Sequence, residues 1–337
     1  MPPVLITWVQ FVGCLAVIGV AGVQLSRYGD AIADKTGLGG TWVGVMMLGT
    51  VTSLPELVTG VSSVTVAGVP EIAVGDVLGS CAFNLLLLVM LDLFYRQESV
   101  YTRASHGHVL GGGFGVILLG VVGFALLWSA LGGVPALAHV GIYTPAIFLL
   151  YAIALRTVFL YSQRTLAEYA GEEPNRYPQL SLSQTLWRYL GAALFVVGAA
   201  VWLPFIGERL AATMGWHQSF VGTLFVAFVT SVPELVVTFA AMKLGALDMA
   251  LGNLVGSNLF NIMILGVDDL FYTTGPLLAH VSIVHTATAL TAMAMTGIAI
   301  VALLYHPRKR VLHTVGWASV LLAAVFLLNA WVLYRFG

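Results

Sequence analysis

Long apolar runs separated by short polar interruptions make up almost the whole chain. A helix needs about 20 mostly apolar residues to cross a bilayer. On that rule the pattern predicts ten spans, at roughly 4–26, 40–66, 71–94, 109–131, 139–161, 185–206, 218–243, 247–272, 281–304 and 312–334. The longest polar stretch, 163–184, carries Glu168, Glu172, Glu173, Pro174, Asn175, Arg176 and Pro178 and is too short to be a folded soluble domain. The expected organisation is a first five-helix half at 1–162, a cytoplasmic linker at 163–184 and a second five-helix half at 185–337.

Two polar motifs break this apolar pattern, and both occur twice. Thr52-Ser53-Leu54-Pro55-Glu56 is followed by Gly75-Asp76-Val77-Leu78-Gly79-Ser80-Cys81-Ala82-Phe83-Asn84. Thr230-Ser231-Val232-Pro233-Glu234 is followed by Gly252-Asn253-Leu254-Val255-Gly256-Ser257-Asn258-Leu259-Phe260-Asn261. From acid to final Asn the interval is 28 residues in the first copy (56 to 84) and 27 in the second (234 to 261). The chain therefore reads as a duplication. Five spans per half is an odd number, so the second copy enters the membrane from the opposite side. Such inverted repeats characterise secondary transporters, whose site lies near the midplane between them.

Composition agrees. Of 337 residues 59% are hydrophobic and 9% charged, where a soluble domain carries about 25% charged residues. The fold class expected is an all-α polytopic membrane protein. A net charge of −1 gives no support to nucleic-acid binding. Cys14 and Cys81 imply neither a disulfide framework nor a zinc site. The N-terminal Met-Pro-Pro-Val-Leu-Ile lacks the basic segment of a cleavable signal peptide, which predicts a retained first helix.

Basic residues then orient the chain. The loops after odd-numbered spans, with adjoining helix ends, hold Arg27, Lys35, Arg96, Arg103, Arg156, Arg164, Arg176, Arg188, Lys243, Arg308, Lys309 and Arg310, and the opposite side only Arg209 and Arg335. Twelve of the 14 basic residues on one side place it in the cytoplasm and both termini outside, as in a multi-pass protein of a prokaryotic inner or plasma membrane.

Intramembrane acids are costly, so they face a cavity and mark an ion path. Glu56 and Glu234 each fall mid-span and each follows a proline. Proline has no N–H, so it frees the carbonyl four residues earlier, here Val51 and Val229. Freed backbone is tolerated at that depth where it lines a cavity. Thr52, Ser53, Thr230 and Ser231 add hydroxyls on the preceding turn. An all-oxygen set of this kind suits Ca²⁺ or Na⁺ and not zinc or copper. Asp76, Ser80 and Asn84 are spaced i, i+4, i+8 and form one helix stripe, as do Asn253, Ser257 and Asn261. Gly75, Gly79, Gly252 and Gly256 let helices approach.

The Thr-Ser-x-Pro-Glu and Gly-Ser-x-x-x-Asn pairs resemble the alpha repeats of the cation/calcium antiporter superfamily, in its sodium/calcium exchanger branch. The resemblance covers nearly the whole chain. It implies that Glu56 and Glu234 are the central ligands of a Ca²⁺/Na⁺ site to which Thr52, Ser53, Thr230, Ser231, Ser80, Ser257, Asn84 and Asn261 add oxygens. Proton-coupled members carry Gly-Asn-Ala-Thr-Glu around the acid, and this chain does not. Several relatives place an aspartate where Asn261 stands, and here the third acid is Asp76. Two carboxylates balance one Ca²⁺ or two Na⁺; a third, if Asp76 faces the cavity, balances three Na⁺. Cys81 stands where the second copy has Asn258, which removes one polar contact.

The function expected is Ca²⁺/Na⁺ antiport by alternating access, with proton-coupled or Mg²⁺/Mn²⁺ exchange as the alternative. No cofactor, no nucleic acid and no obligate protein partner are implied beyond the transported ions and the lipid bilayer. An intramembrane enzyme is disfavoured because no His-Glu-x-x-His occurs. A channel is disfavoured because dense ligands favour occlusion. For Asp76 the competing reading is a helix-end acid. Asp92, Asp268 and Asp269 are expected in solvated or helix-terminal positions, and the histidines at the interface.

Overall fold

The computed structural model of the chain describes residues 3–35, 49–95, 99–102, 107–166, 177–243, 247–306, 310–311 and 315–337. They are mostly helical. In chain order the helices are α1 (Pro3–Lys35), α2 (Leu54–Ser62, continued by a π-helical turn, Ser63–Ala67), α3 (Pro70–Phe94), α4 (Gly107–Gly132) and α5 (Tyr143–Leu166). After the linker region come α6 (Leu182–Met214), α7 (Gln218–Thr230), α8 (Val232–Lys243), α9 (Leu247–Phe271), α10 (His285–Tyr305) and α11 (Trp317–Phe336). Among the described residues eight helices are long and apolar enough to cross a membrane, and α7 with α8 makes one further span bent by 45°. The chain is a polytopic all-α membrane protein. Residues 36–48 and 167–176, which include much of the predicted 40–66 span and of the linker, lie outside the described residues.

Matched helices have matched lengths: α1 and α6 are 33 residues each, α3 and α9 are 25 each. The central pair is α3 and α9. Of their apolar stretches 67% and 83% is buried, against 22% to 44% for the other six candidate spans. Small residues account for that closeness. A Cβ on Gly79 would strike the Thr223 backbone and Ala227, and one on Gly75 would lie 3.0 Å from the Thr223 nitrogen. On the other side Gly49 is seated on the backbone of Gly256 and Ser257. Outside this centre α1 lies along α6, and α4, α5, α10 and α11 flank the far side.

Two short hairpins were not legible as strands in the apolar pattern. Ala136–Leu137 (β1) pairs antiparallel with Val140–Gly141 (β2) ahead of α5, and Arg310–Val311 (β3) with Val315–Gly316 (β4) ahead of α11. Each is fastened by an aspartate that the sequence placed at a solvated helix end. Asp92 and Asp269 do sit at helix ends, but both are fully buried. Asp92 accepts from the Gly316 nitrogen and the Ser319 hydroxyl, both at 2.7 Å, and from Ser99 and Val100 at 3.1 and 3.4 Å. Asp269 accepts from the Gly141 nitrogen at 2.9 Å, from the Thr144 and Tyr143 hydroxyls at 2.6 Å and from the Leu277 nitrogen at 2.7 Å. Each carboxylate thus ties down the start of the last helix of the opposite half, through the same Val-Gly-x-x-Ser/Thr spacing. A buried charge has to be matched by donors in this way.

Burial also corrects the reading of two other groups. Asp268 is helix-terminal, in the last turn of α9, but fully buried rather than solvated. His285 is buried too, and its Nε2 lies 2.7 Å from Glu71. His106 and His313 lie outside the described residues.

Candidate functional site

Both Thr-Ser-x-Pro-Glu segments interrupt a helix at the serine. Ser53 (φ −86°, ψ 14°) and Ser231 (φ −81°, ψ 4°) leave helical geometry for the bridge region between α and β. The proline then falls in the first turn of the continuing helix, where a missing N–H costs nothing. Glu56 and Glu234 therefore enter the first turns of α2 and α8, the end of a helix that favours negative charge.

The eleven residues singled out by the motifs are all buried, none more than 4% exposed. The pairing between them is crossed: hydroxyls of one broken helix meet the stripe of the other half. Thr52 Oγ1 lies 3.3 Å from Ser257 Oγ and 3.4 Å from Asn253 Oδ1. In the matched arrangement Thr230 Oγ1 lies 3.4 Å from Ser80 Oγ and donates to Asp76 Oδ1 at 2.8 Å. Ser53 donates to Glu234 Oε1 at 2.9 Å, and Ser257 approaches the same oxygen at 3.4 Å. Ser231 donates instead to Ser80 Oγ at 3.1 Å. Site hydroxyls also reach backbone carbonyls, that of Gly49 from Thr52 at 3.1 Å and Ser257 at 3.4 Å, and those of Val226 and Ala227 from Thr230 at 3.3 and 3.2 Å, rather than the Val51 and Val229 carbonyls expected from the prolines.

Several oxygens at this centre accept no hydrogen bond from any described residue: both of Glu56, Oε2 of Glu234, Oδ2 of Asp76 and Oδ1 of Asn84, with both polar atoms of Asn261 likewise unpaired. Buried polar atoms are normally satisfied. Their concentration here, in a chain where Asp92 and Asp269 collect four donors each, makes a cluster of oxygens of the kind that suits a hard cation. Among the described residues no group of three or more His, Cys, Asp or Glu forms a metal site; the donors here are mixed carboxylates, hydroxyls and amides.

The Cys81/Asn258 difference has a defined effect. The two matched positions face each other, with Asn258 Nδ2 donating to the Cys81 carbonyl at 3.2 Å. Asn258 Oδ1 also takes Asn84 Nδ2 at 2.9 Å. Cys81 has no amide to offer Asn261 in return, and Asn261 is left unpaired. One further polar contact escaped the motif reading: Thr238, which receives Asn253 Nδ2 at 3.4 Å. Thr238 stands four residues after Glu234, a spacing that signals a shared helix face.

Comparison with known proteins follows from this geometry. The family model described as sodium/calcium exchanger protein matches residues 6–161 and 185–335. The inner membrane protein YrbG of Escherichia coli is 27% identical over 230 residues, covering 66% of this chain and 66% of its own. The sodium/calcium exchanger MaX1 of Methanosarcina acetivorans is 38% identical over 109 residues, 32% of this chain and 30% of its own. Among solved structures, the sodium-calcium exchanger NCX_Mj aligns over 96% of this chain and 98% of its own, with a TM-score of 0.60 at 21% identity. The H⁺/Ca²⁺ exchanger CAX aligns over 96% and 80%, with a TM-score of 0.68 at 14% identity. These two share the fold.

Proposed function

The chain belongs to the sodium/calcium exchanger protein family, and from that premise we propose that it is a secondary antiporter exchanging Ca²⁺ for Na⁺ at one buried site. The observation that carries this reading is the crossed arrangement of two acid-bearing helix breaks around oxygens left without donors. Glu56 and Glu234 are the central ligands; Thr52, Ser53, Thr230, Ser231, Ser80, Ser257, Asn84 and Asn261 supply neutral oxygens; Asp76 supplies a third charge. No enzymatic chemistry and no cofactor enter the cycle.

Ten spans in two inverted five-helix halves, at 1–162 and 185–337 around the 163–184 linker, supply the alternating access. Matched helix lengths and the crossed aspartate ties support that arrangement. The end of α1 meets the approach to α6, where the Lys35 amine donates to the Tyr177 carbonyl at 2.9 Å. Twelve of the 14 basic residues fall on that side in the order of the predicted spans, which assigns it to the cytoplasm, with both termini opposite.

The test is ⁴⁵Ca²⁺ uptake by purified protein in liposomes, which should be faster with Na⁺ loaded inside than with choline. Uptake driven only by an imposed pH gradient would replace Na⁺ by H⁺ as the coupling ion. That second reading is supported by the fold shared with an H⁺/Ca²⁺ exchanger. Competition by Mg²⁺ and Mn²⁺ in the same vesicles ranks the divalent ions.

A further inference from the structure

Asp268 is a buried acid that the central site does not use. Its side chain is fully enclosed and neither carboxylate oxygen has a hydrogen-bond partner among the described residues. The neighbouring Asp269 is saturated by four donors, so the contrast lies in the two side chains rather than in the region. An unpaired buried carboxylate costs several kcal/mol, and nothing in the packing offsets that cost.

Its position has a direction. Asn261 and Asp268 are seven residues apart on α9, two helical turns on one face and about 10 Å along the axis. The stripe Asn253, Ser257 and Asn261 therefore continues to Asp268. On α2, Glu56 and Gly60 are one turn apart on a single face, and a Cβ on Gly60 would collide with the Asp268 carboxylate. Glu56 and Asn261 at the centre, and Asp268 farther out, all carry polar atoms without partners. Together they form a line of unsatisfied groups between α2 and α9.

The line leads to one face only. Asp268 lies near the α9 end that joins the Gly141 and Leu277 segments through Asp269. Asp76 is displaced from Ser80 toward the start of α3, where Glu71 meets Ser282 and His285, so it stands on the same side of the centre. At the matched positions toward the opposite face stand Asn253 and the apolar, buried Leu91. Among the described residues the side of the centre toward the α9–α10 connection thus has two carboxylates, Asp76 and Asp268, whose matched positions on the other side carry none.

We propose that Asp268 is a second cation-binding residue, a waypoint through which a hard cation passes between Glu56 and the face bearing the α9–α10 connection. The proposal rests on the antiport reading above and adds a sidedness that the duplicated motifs do not contain.

The test is ⁴⁵Ca²⁺ exchange in right-side-out and inverted vesicles for the parent, Asp268→Asn and Asp268→Leu, the last copying Leu91. The expected result is a roughly tenfold fall in kcat/KM for Ca²⁺ offered at the α9–α10 face and less than a twofold change at the other. Both variants should melt no lower than the parent, because neither loses a hydrogen bond that the Asp268 side chain makes to a described residue. Asp268→Glu should restore part of the lost rate. Equal losses at both faces, no loss at either, or a lowered melting temperature would assign Asp268 a structural role and overturn the proposal. A parent that exchanges no cation at either face would overturn the antiport reading itself, a result separable from an active parent with an unaffected Asp268→Asn.

Discussion

Ser53 holds Glu234 across the repeat boundary, its hydroxyl 2.9 Å from Oε1, while the matched Ser231 leaves Glu56 alone and turns to Ser80. The two central acids are thus equivalent in sequence and unequal in setting. Glu234 is oriented by a donor on one oxygen, and neither oxygen of Glu56 has a donor among the described residues.

Glu56→Gln and Glu234→Gln should each reduce Ca²⁺ uptake to background, with the protein still eluting as a folded species from size-exclusion chromatography. Ser53→Ala should act more mildly. A hydrogen bond to a charged group is worth about 1.5–3 kcal/mol, so half-saturating Ca²⁺ should rise by roughly tenfold or more while the maximal rate changes little. Ser231→Ala, which touches no carboxylate, should raise it less.

Asp76→Asn makes the first stripe match the second. With one carboxylate fewer, the site should carry one less positive charge per cycle. Reversal potentials measured in proteoliposomes under set Na⁺ and Ca²⁺ gradients read that change directly. An unchanged coupling ratio would return Asp76 to the role of a helix-end acid that orients Thr230.

Cys81→Asn supplies the amide that Asn261 lacks. The variant should melt higher by a few degrees, since one net hydrogen bond contributes about 1 kcal/mol. It should also bind Ca²⁺ several-fold more weakly, because Asn261 is drawn away from the ion. Thermal melts with and without Ca²⁺ separate the two effects.

Asp92→Asn and Asp269→Asn each present an amide nitrogen to N–H and O–H donors. Each should destabilise by about 3 kcal/mol, from the loss of at least two charge-assisted bonds. The effects should add in the double variant because the ties share no partner. Gly79→Ala should be more severe, as its Cβ meets the Thr223 backbone, and Gly113→Ala, with open space around it, should be silent.

Much of this was legible from residue order. Long apolar runs located the eight spans and the bent pair found among the described residues, and the paired motifs located a buried polar centre, because polar residues in the middle of an apolar run must meet other polar groups. What stayed hidden depended on contacts between distant segments. Asp92 and Asp269 looked solvated because each is near a helix end; their partners lie 224 and 128 residues away. Asp268 read like its neighbour, and only the donors around each side chain tell them apart. Of the hairpins at 136–141 and 310–316, the second strands fell inside predicted spans and the first strands between them, since two-residue strands leave no periodicity to read.

The crossed aspartate ties bear on how the two parts of the chain fold. Asp92 takes Ser99 and Val100 from its own side of the linker but needs Gly316 and Ser319 from the other, and Asp269 takes Leu277 locally but needs Gly141, Tyr143 and Thr144. Neither carboxylate is satisfied by its own side alone. The two parts of the chain are therefore expected to fold as one cooperative unit, and either part expressed by itself should leave a buried acid short of donors.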